Sequence, residues 1–205
     1  LYLMGEPINS MDELEGKTIL SAGQGATPMY VLELLTEGID VSIDYLPNHS
    51  DVAAAASENK ADYYVLPEPF VTVYKSKVEN PQLAYDLAKA YKEKTGHSLT
   101  MGAVITTQEK LDEKKKEIHA FLEDYQASVE KVLADPAAAA QLVEKYGILE
   151  KAALAEKAIP GAGIVYRSPA ESKEAIEAFF ALLMEKNPKA LGGKLPGDDF
   201  YYEGN

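Results

Sequence analysis

The sequence contains no cysteine. This absence removes disulfides, thiolate nucleophiles and thiolate metal ligands together, and it is compatible with either side of a membrane. Long apolar runs are missing as well, so nothing in the sequence predicts a segment that crosses a bilayer. Basic residues are few: 20 Lys and Arg stand against 33 Asp and Glu, a net charge of −13. So acidic a surface repels phosphate backbones, which argues against nucleic acid and anionic membranes as partners.

Recognisable catalytic and metal-binding patterns are also missing. The three histidines do not stand at metal-ligand spacing, and without cysteine they do not predict a zinc site. The segment around Asp198 and Asp199 lacks the glutamate and the spacing of a calcium loop. There is no G-x-S-x-G motif, no phosphate-loop lysine motif and no dinucleotide fingerprint. We therefore predict no metal, no cofactor and no catalytic residue.

What the sequence does contain is an alternation of strand and helix patterns between Lys17 and Leu66. Short apolar strands are predicted near Thr18–Ser21, Val41–Leu46 and Asp62–Leu66, separated by stretches with helical spacing. Short strands alternating with helices are typical of parallel sheets with right-handed crossovers. The fold class is therefore α/β, with a parallel-rich sheet and helices on both faces.

Segments outside this alternation predict the rest of the organisation. The opening "LYLM" and the run Leu99–Thr107 both look like strands, and we expect them to pair as a two-strand hinge between lobes. Beyond Gln108 the apolar residues have helical spacing. The helix faces that carry Phe121, Phe179 and Phe180 cannot stay exposed, so these helices should pack on one another or on a second copy of the chain.

The stretch "SAGQGATP" holds the first candidate site. Glycines just before a helix start allow a ligand to approach backbone N–H groups at the positive end of the helix dipole. Thr27 followed by Pro28 predicts an N-cap and a first helical residue. The alternative is a tight strand-to-helix turn that needs small residues for packing. The candidate ligand-binding residues in this stretch are Gly23, Gln24, Gly25, Ala26 and Thr27.

Two further candidates follow neighbouring strands. Glu68 lies between Pro67 and Pro69, which hold it stiffly where it can accept a hydrogen bond from an amine or hydroxyl. Its alternative role is that of a carboxylate favoured at a helix start. His49 lies in the loop after the second strand, and its alternative is a solvated loop residue. Parallel strands place all three loops at one sheet edge, where open α/β sheets bind ligands.

With these residues in view, the chain resembles solute-binding proteins of ABC importers, in the nitrate, sulfonate, taurine and thiamine-precursor group with the type 2 periplasmic-binding fold. The resemblance rests on "LEGKTILSAGQGATPMYVLELL", "ENKADYYVLPEPFVT", "MGAVITTQEKLDEKKKEIHAFLEDY", "KAIPGAGIVY" and "NPKALGGKLPGDDFYY". It implies that residues 1–107 form the second α/β lobe with hinge strands at both ends. Residues 108–205 would be the mainly helical C-terminal part of an incomplete first lobe.

The resemblance implies a non-catalytic subunit that captures a small polar or anionic solute between two lobes. Its partner would be an ABC transporter permease, with self-association of the fragment as a further expectation. Its location would be extracytoplasmic, either periplasmic or as a cell-surface lipoprotein, with the signal and anchor outside this sequence. Two alternatives stay open. One is an enzyme on the same fold, of the thiamine-pyrimidine-precursor type, although the cysteine-rich motif expected there is absent. The other is an interaction domain with a vestigial cleft.

Overall fold

The computed structural model of the chain describes residues 1–202. Its centre is a five-stranded mixed sheet in the order β3-β2-β4-β1-β5. Strand β2 is parallel to both β3 and β4, whereas β1 runs antiparallel to β4 and β5. The strands are β1 (Tyr2–Met4), β2 (Thr18–Ala22), β3 (Ser42–Leu46), β4 (Tyr63–Leu66) and β5 (Leu83–Asp86). The predicted parallel strands are confirmed.

Nine α-helices are found among residues 1–202. They are α1 (Thr27–Leu35), α2 (His49–Ser57), α3 (Phe70–Lys77), α4 (Leu87–Thr95), α5 (Gln108–Glu113), α6 (Lys115–Ala134), α7 (Pro136–Lys145), α8 (Ala152–Ala158) and α9 (Pro169–Lys186). Several begin at side-chain caps. Ser168 and Glu171 form a capping box ahead of Pro169 at the start of α9, and Asp135 caps α7. Within the described residues, no helix is long and apolar enough to span a bilayer.

The sheet is covered on both faces, as expected for an α/β fold. On one face, Ile19 and Val65 pack with apolar residues of α1 and α4, including Val31 and Tyr91. On the other face, Met4 and Leu66 pack with α2 and α3, whose contributions include Val52 and Tyr74. Alternate residues of β4, Val65 and Leu66, thus enter different cores, because successive strand residues point to opposite faces.

The helices beyond Gln108 find two different partners. Helix α9 joins the core of the sheet through Phe179, and Asn187 after its end donates a hydrogen bond to the hydroxyl of Tyr30 at 2.9 Å. Helix α7 contacts both α6 and α8, around a small core that includes Ala140 and Ile159. Phe121 on α6 stays 49% exposed. The expected packing among helices is found for α6 to α8, and α9 packs on the sheet. Phe121 is not covered within the described residues, so its burial by a second copy of the chain stays a prediction.

The predicted strand Leu99–Thr107 is wrong. The segment forms no strand in the described structure, and its Val104 and Ile105 are 57% and 82% exposed. Its expected partner β1 is already hydrogen-bonded on both sides, to β4 and β5, which leaves no edge for a hinge pair. The division into parts 1–107 and 108–205 stays a prediction.

Candidate functional site

The carboxyl ends of three parallel strands lie side by side and define the candidate site. Ala22 at the end of β2 pairs in register with Leu46 at the end of β3, and Leu20 pairs with Tyr64 of β4. The loops that leave β2, β3 and β4 therefore start at the same edge of the sheet. This is the arrangement in which open α/β sheets hold ligands.

Two further residues, Tyr2 and Asp86, lie at the same edge, and the sequence pattern did not indicate either of them. Tyr2 opposes Leu66 on one side and Asp86 on the other, because β1 runs antiparallel between β4 and β5. An N-terminal strand inserted between two later strands leaves no local pattern in the sequence. The only available signal was the strand-like "LYLM" itself, and it did not reveal the strand's neighbours.

The glycine turn after β2 has the backbone geometry that glycine allows. Gly23 and Gly25 have φ values of +80° and +79°, in the region that residues with a Cβ rarely adopt. The amide of Ala26 closes the turn by donating to the carbonyl of Gly23 at 2.8 Å. A Cβ at Gly25 would meet no atom within 4 Å, whereas one at Gly23 would lie 3.4 Å from the Ala26 Cβ. Both positions therefore need glycine for their φ values, and at Gly25 there is no neighbouring atom that close packing could involve.

The start of α1 differs by one residue from the prediction. Thr27 is the first helical residue and Ala26, in an extended conformation, occupies the N-cap position without a side-chain hydrogen bond. The reason is the positive φ of Gly25, which leaves Ala26 as the last extended residue before the helix. Thr27 is thus not the N-cap, and its hydroxyl is not used to cap the helix.

Backbone donors of this turn remain available. Within residues 1–202, the amides of Gln24 and Thr27 donate to no acceptor, and the amide of Gly25 faces only the sulfur of Met29 at 3.3 Å. Gln24, Gly25 and Ala26 are exposed. These N–H groups stand at the positive end of a nine-residue helix, where a hydrogen-bond acceptor or an anion is favoured.

Glu68 is half-buried, and its two carboxylate oxygens differ in their contacts. Its Oε2 accepts a hydrogen bond from the amide of Thr72 at 3.0 Å, in the first turn of α3. The alternative of a helix-start carboxylate is therefore realised for one oxygen. The other oxygen, Oε1, faces the backbone of Gly161, where an added Cβ would lie 3.2 Å away.

Tyr2 completes this corner of the site. Its hydroxyl donates to the carbonyl of Gly161 at 2.8 Å. Burial raises the pKa of the Tyr2 phenol, and the carboxylates of Asp86 and Glu68 raise it further. The phenol therefore stays protonated and serves as a hydrogen-bond donor at neutral pH.

His49 is not a solvated loop residue. It begins α2, and its ring lies 5.5 Å from the ring of Phe70 at the start of α3. Its Nδ1 is buried and has no hydrogen-bond partner among the described residues. Burial lowers the pKa of the imidazole, which favours the neutral form.

Among the described residues, two cavities lie along α2, and neither is lined by the seven predicted site residues. One of about 260 Å³ lies between α2 and α3, and its lining includes Ala53 and Tyr74. The other, about 330 Å³, lies beside the end of β3 and is lined in part by Pro47 and Asp51. The loops are brought together at an open edge. Among residues 1–202 there is no cluster of acidic and histidine side chains suited to a metal.

Solved structures with the same fold include proteins of ABC transport systems. An ABC transporter protein from Parabacteroides distasonis shares 27% identity, with 98% of this chain and 70% of that chain covered and a TM-score of 0.79. The aliphatic sulphonate-binding protein SsuA from Escherichia coli shares 14% identity, with 97% and 70% covered and a TM-score of 0.74. The zinc-bound ligand-binding component of an ABC-type import system from Staphylococcus aureus shares 16%, with 98% and 67% covered and a TM-score of 0.62. The fold is that of ABC-importer substrate-binding proteins.

A match to the sequence model of a protein family shows which family the chain belongs to. The chain belongs to the menaquinone biosynthesis family, whose profile matches residues 3–185. No curated protein matches the chain. The resemblance to importer proteins is thus confirmed at the level of fold and structural neighbours, while the family is described by a biosynthetic pathway. That pathway is a different one from the thiamine branch expected for the enzyme alternative.

Proposed function

We propose that the chain captures a small polar or anionic solute at the carboxyl edge of its sheet, as the substrate-binding component of an ABC importer. The observation that carries this proposal is the convergence of three loops at one edge, with backbone donors at the start of α1 that have no backbone acceptor among the described residues. The 27% identity to the Parabacteroides ABC transporter protein supports the same class.

Each group at the edge has a role in this proposal. The amides of Gln24, Gly25 and Thr27 donate to an acceptor on the solute, with the side chains of Gln24 and Thr27 adding further hydrogen bonds. Oε1 of Glu68 accepts from a hydroxyl or amine. His49 is kept neutral by burial, and its Nδ1, which has no partner among the described residues, is a further and weaker candidate for contact with the solute. Each uncharged hydrogen bond contributes about 0.5–1.5 kcal/mol.

The proposal that the chain is an importer substrate-binding component also implies a lobe arrangement, a partner and a location. A second lobe would close over the solute, with residues 1–107 as one lobe and residues 108–205 as part of the other. The partner is the permease of the importer, and the location is extracytoplasmic. SsuA binds aliphatic sulphonates, and a related protein from Xanthomonas axonopodis was solved with MOPS. Sulfonates are therefore the first solutes to test.

Family membership favours a second candidate, an enzyme of menaquinone biosynthesis. In that case the same edge would bind an aromatic carboxylic acid of the naphthoquinone type. Oε1 of Glu68 would be the group placed to accept a proton, because only Oε2 is bonded to the Thr72 amide.

One experiment separates the two candidates. The protein is incubated separately with MOPS, an aliphatic sulfonate and an aromatic acid of the naphthoquinone type, and each mixture is analysed by mass spectrometry under native and denaturing conditions. The importer proposal predicts a non-covalent 1:1 complex and unchanged ligand. A change of ligand mass that Glu68→Gln abolishes would favour the enzyme instead.

A further inference from the structure

Three residues far apart in the sequence meet where the sheet edge contacts the C-terminal helices. The Tyr2 hydroxyl donates to the Gly161 carbonyl at 2.8 Å. The α-carbon of Gly161 faces Glu68, so that a Cβ there would lie 3.2 Å from Oε1 and 3.3 Å from Cγ. The same Cβ would lie 3.4 Å from the hydroxyl of Tyr2. Tyr2 and Gly161 together therefore enclose one side of the Glu68 carboxylate.

Space, and not backbone conformation, accounts for the glycine at position 161. Gly161 is absent from the residues with positive φ, so alanine could adopt its backbone conformation without strain. Contacts of 3.2–3.4 Å are tight for a Cβ. Glu68 cannot easily move away, because its Oε2 is held by the amide of Thr72. Tyr2 is fixed in the sheet by pairing on both sides.

The partner across this contact is a unit with its own core. Helices α6, α7 and α8 and the 3-10 turn Ile159–Gly161 enclose a cluster centred on Ala140, Ala155 and Ile159, separate from the two cores of the sheet. Helix α8 of this unit packs against α3, the helix whose first turn holds Glu68. The turn Ile159–Gly161 thus links the helical unit to the carboxylate at the sheet edge.

We propose that Tyr2 and Gly161 are positioning residues of the candidate site: they fix the Glu68 carboxylate at the sheet edge and tie its placement to that of the unit α6–α8. Their relevance to solute capture rests on the function proposed above, whereas the positioning itself does not. In this arrangement, a group that binds Glu68 would favour one placement of the unit α6–α8, and a shift of that unit would change the position of the Glu68 carboxylate.

The test compares Gly161→Ala with Gly102→Ala in the full chain without added ligand. Gly102 is the matched control, because it too lacks a positive φ and a Cβ there would meet no atom within 4 Å. The readouts are thermal unfolding, hydrogen exchange of α8, and the carboxyl carbon NMR signal of Glu68, assigned by its loss in Glu68→Gln. Gly161→Ala should shift the Glu68 signal, speed exchange in α8 and lower the unfolding midpoint by about 2–4 °C.

Two further variants make the result decisive. Tyr2→Phe should also shift the Glu68 signal, because it frees the carbonyl of Gly161. In a Glu68→Ala background, Gly161→Ala should cost much less in unfolding midpoint, because the closest contacting atoms have been removed. The proposal is overturned if Gly161→Ala leaves the Glu68 signal as Gly102→Ala does, or if its cost is the same with and without Glu68. Since no solute is used, these results are independent of the solute measurements that test the proposed function.

Discussion

Thr18 and Asp62 bind each other reciprocally at the amino ends of neighbouring strands. The amide and hydroxyl of Thr18 both lie 2.8 Å from Oδ2 of Asp62, and the amide of Asp62 donates to the Thr18 hydroxyl oxygen at 3.1 Å. These bonds hold β2 and β4 in the register that brings the loops after Ala22 and Leu66 together. The site edge thus depends on a contact at the opposite end of the sheet.

Asp62→Asn should lower the free energy of unfolding at pH 7 by about 1 kcal/mol, because charge-assisted hydrogen bonds become neutral ones. The amide and hydroxyl of Thr18 lower the pKa of the Asp62 carboxyl below its ordinary value. The stability it contributes is therefore present above pH 4 and is lost as pH falls through the lowered pKa. Urea unfolding from pH 7 to pH 3 should show the two proteins converging.

Asp124→Asn on the exposed surface of α6 is the control for this measurement. It should unfold like the parent at every pH. A gap between parent and Asp62→Asn that stays constant down to pH 3 would show that the carboxylate charge is not involved.

His49 should make stability fall with falling pH as Asp62 does, but in a higher pH range. Burial lowers the pKa of its imidazole, so folding is penalised once the unfolded chain binds a proton that the folded chain does not. The contribution of neutral His49 is complete above its unfolded pKa near 6.5 and is lost as pH falls below it. The difference in unfolding free energy between the parent and His49→Asn should therefore shrink or reverse between pH 7.5 and pH 5.5. A difference independent of pH would contradict the burial of Nδ1.

The docking of α9 on the sheet predicts unequal costs for two phenylalanines. Phe179 is 9% exposed within the core and Phe121 is 49% exposed on α6. Phe179→Ala should destabilise the protein by about 3–5 kcal/mol, and Phe121→Ala by less than about 1 kcal/mol. Chemical denaturation of the two variants measures this directly. Equal costs would mean that α9 does not rest on Tyr30 and its neighbours as described.

The sequence was informative wherever a local pattern decides the structure. The strand and helix alternation of residues 17–66 predicts the parallel strands. It was misleading at Leu99–Thr107, where strand propensity is not matched by a free partner edge. Propensity describes a segment, whereas pairing depends on which edges the remainder of the fold leaves open.

The candidate site divides in the same way. The loops after β2, β3 and β4 follow from their order in the chain, so their meeting at one edge was predictable. The Tyr2–Gly161 hydrogen bond joins residues 159 positions apart, and no short pattern reports such a contact. The burial of His49 beside Phe70 likewise depends on how α2 packs on α3.

The central claim is solute capture at the sheet edge, and isothermal titration calorimetry tests it most directly. An aliphatic sulfonate is titrated into the parent, Thr27→Ala, Gln24→Ala and Gly25→Val, with Gly102→Ala as the control that leaves the edge unchanged. We predict that the parent and the control bind equally. Thr27→Ala and Gln24→Ala should each bind about 2–13-fold more weakly. Gly25→Val should bind more weakly still, because a branched residue opposes the φ of +79°. Equal affinity for all five folded proteins, or no heat of binding from the parent with any solute tested, would contradict the account.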